Sequence, residues 1–450
     1  MAGLAPSPLL TRDETSAAAL PGGDPPWLAE LRRQAVSAYR EMPWPASGRD
    51  EDWRRSALID KLDPATYALP PGAGAEGETP AYLEEAIAGP LAGLATAALL
   101  VTDQGGDLSR PSRPGGPAQA LGGALQAAAG PWSSLLGQVA APGLRKWLAL
   151  NTARMTGGAA VHVPADASPE GCIRLIHGVD RGSVAFPRAA VRLEPGSRLT
   201  LVEEWVSPEQ DRTLLCPLTE IELADGAHLT HLVLQRCGDQ TVVQSTARVR
   251  VGREARYDLR WAHLGSAWQK GYFEVELIGE ASEAKLVGLA LEQGRQHIDL
   301  QTLQEHRGLG AVSDLLYRVA VAERSRSVYA GLIRVAEGAQ KTNAYVQNRN
   351  LLLSPTAKAD SNPTLEILAN DVRCTHGSTA GRIDDDQLFY CQSRGVSREQ
   401  ARRLVVEGFF ADVIDSFPEG PAREATRQWV LEALQRLAQS GGLASSPRAA

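Results

Sequence analysis

The sequence predicts a mainly β fold: a parallel β-helix (solenoid) core flanked by N-terminal and C-terminal α-helical regions. Three observations predict it. From Ala159 to about Arg373, runs of alternating apolar and polar residues recur, each leading into a glycine-bearing turn. The turn glycines Gly196, Gly226, Gly252, Gly279, Gly310 and Gly338 are 30, 26, 27, 31 and 28 residues apart. The segments on either side are patterned helically. Period-two alternation marks a strand with one buried face, and a repeat of near-constant length marks stacked units that share a continuous core. An antiparallel sandwich offers similar strands but has no need of so regular a period.

In chain order, residues 1–25 are rich in Ala, Pro, Gly and Ser and are expected to form a disordered tail. Residues 26–155 form a mainly helical region. Its first helix carries Leu28, Leu31, Ala35, Val36 and Tyr39 at helical spacing and is stopped by Pro43-Trp-Pro45, since proline lacks the N–H donor and restricts the residue before it. Residues 64–80 and 103–118 read as Gly/Pro-rich loops. The apolar run Ala86–Val101 is interrupted by Gly89, Pro90 and Gly93, and its 16 residues fall short of the ~20 a spanning helix needs, so it reads as buried core. The β-helix core is placed at 156–384. From 385 to 450 the chain is helical and suited to partner docking. There Ser397 and Gln400 form a capping box, and Ala401, Leu404, Val405, Gly408 and Phe409 form one apolar face. These helices would cap the last rung and cover its open edge.

Composition narrows function. A net charge of −7 without a basic block argues against nucleic acid or an anionic membrane surface. Five scattered cysteines, Cys172, Cys216, Cys237, Cys374 and Cys391, make no disulfide framework and suit a reducing compartment. The N-terminus has no basic, then apolar, leader pattern, and a cytoplasmic location is expected. Walker, Cys-x-x-Cys, His-Glu-x-x-His and dinucleotide motifs are lacking, so no catalytic residue is assigned. His228 and His231, three apart, would point to opposite faces of a strand.

Cys374 and His376 are two apart, which on a strand places a thiol and an imidazole on one face. Both suit iron, but two ligands do not close a metal site, and a second chain would have to supply the rest. On spacing alone a packing role for the pair remains open.

Pro363-Thr-Leu-Glu-Ile, Asp371-Val-Arg-Cys-Thr-His-Gly-Ser-Thr and Asp386-Gln-Leu-Phe-Tyr with Ser393-Arg-Gly resemble the C-terminal signature of the SufB/SufD family of iron–sulfur cluster assembly proteins. The order Pro26-Trp-Leu, Leu31-Arg, Met42-Pro-Trp-Pro and Asp52-Trp-Arg resembles the N-terminal arm of its SufD branch. Where SufB chains have Cys after Gln347 this chain has Asn348, and where they have Glu-Ala-Thr after the histidine it has Gly377-Ser-Thr. The resemblance implies a non-catalytic subunit of the SufBCD complex. It would pair with a SufB-like paralogue through the β-helix, or with itself when the paralogue is missing, and dock a SufC-like ABC ATPase through the helices of 387–437. Cys374 and His376 would then contribute to an interfacial site for iron or a nascent iron–sulfur cluster shared with the partner. The alternatives are a SufB-like scaffold that binds the cluster itself and a solenoid enzyme acting on a polysaccharide in its groove, which would need paired carboxylates.

Overall fold

The computed structural model describes residues 10–20, 23–68, 80–101, 109–110, 117–126 and 131–442. Much of the tail expected at 1–25, and most of the loops expected at 64–80 and 103–118, lie outside these residues.

The core is a parallel β-solenoid of eight turns, each made of one strand from each of two facing sheets. One sheet runs from Cys172–Gly178 through Arg198–Val206, His228–Arg236, Arg256–His263, Glu283–Glu292, Val312–Val321 and Asn343–Leu352 to Arg373–Arg382. The other runs from Gly158–Val163 through Arg188–Leu193, Leu218–Leu223, Thr241–Val251, Trp268–Leu277, His297–His306 and Arg326–Val335 to Lys358–Ile367. The register pairs between successive turns are parallel throughout, as a chain that always advances in one direction requires.

The near-constant period has a backbone cause. The first seven of the eight turns leading from the second sheet to the first share a residue in the left-handed region: Asp166, Gly196, Gly226, Glu254, Ala281, Gly310 and Lys341. The amide of each donates to a carbonyl in the next turn, at Pro195, Asp225, Arg253, Glu280, Leu309, Gln340 and Asp371, over 2.6–2.9 Å. The turns are thus stacked by their own hydrogen-bond ladder. Gly196, Gly226 and Gly310 occupy the strained position as their sequence suggests. Gly252, Gly279 and Gly338 do not: there the left-handed residues are Glu254, Ala281 and Lys341, two or three positions on.

Alternate residues of both sheets meet in one interior core, from Val161 and Ile173 to Val346 and Ala369. Each fully buried Val, Leu or Ile in it contributes about 1.5–3 kcal/mol relative to exposure. The core is not wholly apolar. Glu203, fully buried, accepts hydrogen bonds from His231 Nε2 at 2.9 Å and Thr219 Oγ1 at 2.9 Å, and His177 Nε2 lies 2.9 Å from its other oxygen. Burial opposes the charge of Glu203, but these donors prevail and hold its pKa well below the usual carboxylate range.

The N-terminal region packs on the outer face of the second sheet through buried ion pairs. Arg188 pairs with Glu220, both wholly inaccessible, and Glu220 also accepts the Gly137 and Ala140 amides at 3.0 and 2.7 Å. Lys270 Nζ lies 2.8 Å from Asp299 and also reaches the Asp52 carbonyl. The first helix, Pro26–Glu41, buries Leu28, Leu31, Ala35 and Tyr39 as patterned, together with Arg32. Arg32 is tied to Asp24 and to the Ala153 and Met155 carbonyls. Leu10 and Leu20 are buried too, which the expectation of a disordered tail did not allow for. In the apolar run at 86–101, Ala86 and Leu91 are buried and Ala95–Val101 is a strand parallel to Cys172–Gly178. Among the described residues no helix is long and apolar enough to cross a membrane.

The C-terminal helices are Asp385–Ser393, Arg398–Asp415 and Pro421–Gln439. The capping box at Ser397 and Gln400 is formed in both directions. The helices do not cap the last rung, as expected from sequence. They lie along the outer face of the first sheet, where Val406, Phe410, Val413, Leu434 and Leu437 cover Leu232, Leu289 and Ala320. Arg318 bonds the Phe409 carbonyl and the Asp412 carboxylate, and Arg402 bonds the Leu353 carbonyl. The buried stripe is therefore Val406, Phe410 and Val413, one position beyond Val405 and Phe409, and Leu404 is left 51% exposed. With Leu-Val-Val and Phe-Phe side by side the sequence offers two apolar stripes, and packing on the solenoid chooses between them.

Candidate functional site at the open end of the solenoid

Cys374 and His376 lie on Arg373–Arg382, the terminal strand of the first sheet. In register they stand over Ala344 and Val346, which are 1% exposed and belong to the interior core. Both side chains therefore belong to the interior face of the last turn, with no further turn above them among the described residues. Cys374 is half-buried against the core cluster and His376 is exposed. Burial raises the Cys374 thiol pKa, with a smaller opposing effect from the hydrogen bond with the Ala344 backbone. Cys374 is thus a protonated thiol at neutral pH until a cation or a metal draws off the proton.

The sheet edges around the pair are open. Lys358–Ile367 and Arg373–Arg382 each pair with one neighbour only. Half of Lys358–Ile367 and most of Arg373–Arg382 are exposed, and Ile367 and Leu368 are 38% and 63% exposed. Unpaired N–H and C=O groups along two ten-residue strands are a template for another strand. A second exposed apolar group, Phe389 at 72% and Tyr390 at 62%, lies on the first C-terminal helix, and Leu404 follows on the second.

Other residues weighed in the sequence are placed as follows. His228 faces outward beside Asp258 at 2.9 Å, whereas His231 is interior, so the two do point apart. Cys172, Cys216 and Cys237 are buried, and burial pushes their thiol pKa values up. Among the described residues no group of three or more His, Cys, Asp or Glu is arranged to hold a metal ion, so Cys374 and His376 form at most half of one.

A cleft on the outer face of the second sheet holds about 390 Å³ and is lined by Glu274, Asp299 and Asp360 among others. Arg145 and Arg248 neutralise Glu274, Lys270 neutralises Asp299 and Arg326 neutralises Asp360. Paired with cations, these carboxylates are poor candidates for an acid–base couple.

Two features escaped the sequence reading. His177, Glu203 and His231 converge although 54 residues separate the two histidines, and only the rung register brings them together. Asn348 and Asn350 occupy interior positions directly below the last strand. The available signal was polar residues in the buried phase of an alternating strand.

Fold and site together define a parallel β-solenoid whose open terminal turn carries Cys374 and His376. Comparison with known proteins makes this specific. The family model described as "SUF system FeS cluster assembly, SufBD core domain" matches residues 176–409, just over half the chain. The chain belongs to the SufB/SufD family of iron–sulfur cluster assembly proteins. It is 32% identical to the iron–sulfur cluster assembly protein SufD of Escherichia coli over 57% of this chain and 60% of that one. It is 27% identical to SufD of Bacillus subtilis over 61% and 63%, and 30% identical to an iron–sulfur cluster assembly SufBD family protein of Synechocystis over 62% and 64%. The matched stretch thus spans less than two thirds of each relative. Within the family the chain is most like SufD, in agreement with its N-terminal arm and with Asn348.

Proposed function

We propose that this protein is the SufD-like, non-catalytic subunit of a cytoplasmic SufBCD-type complex. It pairs with a SufB-like paralogue through the open last turn of the solenoid. It docks a SufC-like ABC ATPase through the C-terminal helices, and the partner hydrolyses the ATP. Cys374 and His376 contribute to a site, completed by the paralogue, where iron enters or the nascent cluster forms; iron and cluster are cargo here.

The observation that carries this reading is the coincidence of the two potential ligands with the unpaired end of both sheets. A strand added there would continue the hydrogen-bond ladder and close the space over the pair. A thiol whose pKa is raised by burial also suits a site that becomes metal-binding only when a partner supplies charge and further ligands.

The test is co-expression with SufB-like and SufC-like proteins, followed by size-exclusion chromatography. One defined complex is expected, and loss of the paralogue when Ser378, whose N–H is on the open side of the terminal strand, is replaced by proline. Elution of this chain alone, while the other two associate, would overturn the assignment. Reconstitution of the isolated chain with iron and sulfide should leave no stable chromophore; a persistent one would point to the scaffold alternative.

A further inference from the structure

The terminal strand Arg373–Arg382 is held by backbone hydrogen bonds on one side only. A one-residue slip of such a strand would turn every side chain to the opposite face and carry Cys374 and His376 out of the interior. Something other than the open edge has to fix its register. Asn350 Nδ2 donates to the Thr379 carbonyl on the terminal strand at 3.2 Å and to Asn348 Oδ1 at 2.7 Å. Asn348 Nδ2 in turn donates to the Tyr317 carbonyl on the preceding strand at 3.3 Å. Two side-chain amides thus link the backbones of three successive strands from inside the solenoid.

The same interior columns are less polar below. Asn350 follows Ala290 and Val319, and Asn348 follows Gly288 and Tyr317. Asn348 and Asn350 are 0% and 4% exposed, and burying an amide is unfavourable unless it is bonded. A polar pair therefore enters these columns at the turn that underlies the candidate site, in register two and four positions along the strand from His376.

We propose that Asn350, braced by Asn348, is the positioning residue of the candidate site: it fixes the register of the terminal strand and so keeps Cys374 and His376 on the interior face. The positioning role stands on geometry alone; its importance for cluster assembly rests on the function proposed above.

The test uses the full chain with Cys391→Ser, so that Cys374 is the one half-buried thiol left. Asn350→Val restores the residue type of the turn below and is expected to leave the melting temperature unchanged. Amide exchange across 373–382 should accelerate at least tenfold, with 283–292 and 312–321 unaffected, and the maleimide labelling rate of Cys374 should change at least threefold. If this variant does not fold, Asn348→Ala, which leaves Asn350 unbraced, is expected to shift both readouts in the same direction. Unchanged exchange and labelling in a folded variant would overturn the positioning role. Shifted exchange and labelling with unimpaired cluster assembly by the complex would uphold positioning and count against Cys374 and His376 as the working site.

Discussion

Cys374 stands in register with Ala344, one strand below it, so a half-buried thiol rests on a methyl group that is 1% exposed. The same step up the solenoid takes the chain from closed core to open end. It predicts that the two candidate ligands can be changed without damage to the fold. Cys374→Ser and His376→Ala remove little buried apolar surface and should each alter stability by no more than about 0.5 kcal/mol. Iron–sulfur assembly by the reconstituted complex should fall roughly tenfold or more, as for loss of a metal-site residue. Circular dichroism and cluster absorbance check the two halves. Loss of the β signal in His376→Ala would make that residue structural.

The C-terminal helices call for a different design of experiment. Deleting residues 387–450 would uncover Leu232, Leu289 and Ala320 as well as remove the proposed docking surface, so lost association would be uninformative. Phe389 and Tyr390 instead stand free of the core. Phe389→Asp with Tyr390→Asp should abolish co-elution with the ATPase and leave the melting temperature within a degree or two, since exposed substitutions cost little. Retained co-elution would move the docking site elsewhere.

The sequence carried the solenoid because its cause is local. Alternation sets which face is buried, and a recurring glycine marks the turns. At Gly196, Gly226 and Gly310 that glycine is itself the left-handed residue and supplies the conformation without strain. At the other glycines the sequence does not show which residue is left-handed: Glu254, Ala281 and Lys341 are held so by the hydrogen-bond ladder between turns, a non-local force. The stripe error at Leu404 has the same origin: adjacent apolar residues satisfy two helix faces, and only the solenoid surface selects one. Cys374 and His376 were legible from spacing, whereas their place at an open end depends on where the helices pack.

Gly288 tests the interior packing. It lies between Trp261 and Tyr317 in one interior column, and those rings are 5.4 Å apart across it. A Cβ at this position would overlap the Trp261 indole, itself 0% exposed. Gly288→Ala should cost about 1–3 kcal/mol through overpacking, and Gly288→Val more. Urea unfolding would read the loss as a lower midpoint with an unchanged slope. An unshifted midpoint would mean that the indole has room to move.

The buried histidines make stability depend on pH with a definite sign. Burial lowers the pKa of His263 to about 3 and those of His297 and His306 to about 4. Each folded value lies below the unfolded one near 6.5, so between these limits the unfolded chain binds more protons. Their contribution is whole above about pH 6.5 and is lost as pH falls toward 4 and 3. Glu203, also held below its ordinary range, adds a loss that begins only below the unfolded carboxylate value of about 4.3. The urea midpoint should therefore fall between pH 7.5 and pH 5.0, before carboxylates protonate, by an amount equivalent to roughly 1–2 kcal/mol per buried histidine. His306→Gln retains a polar partner for Ser313, which His306 Nε2 meets at 2.9 Å, and removes one titrating group. It should flatten the profile over that interval. A variant whose profile matched the parent chain would show that His306 takes up its proton in the folded state, and that the interior is wetter than its burial suggests.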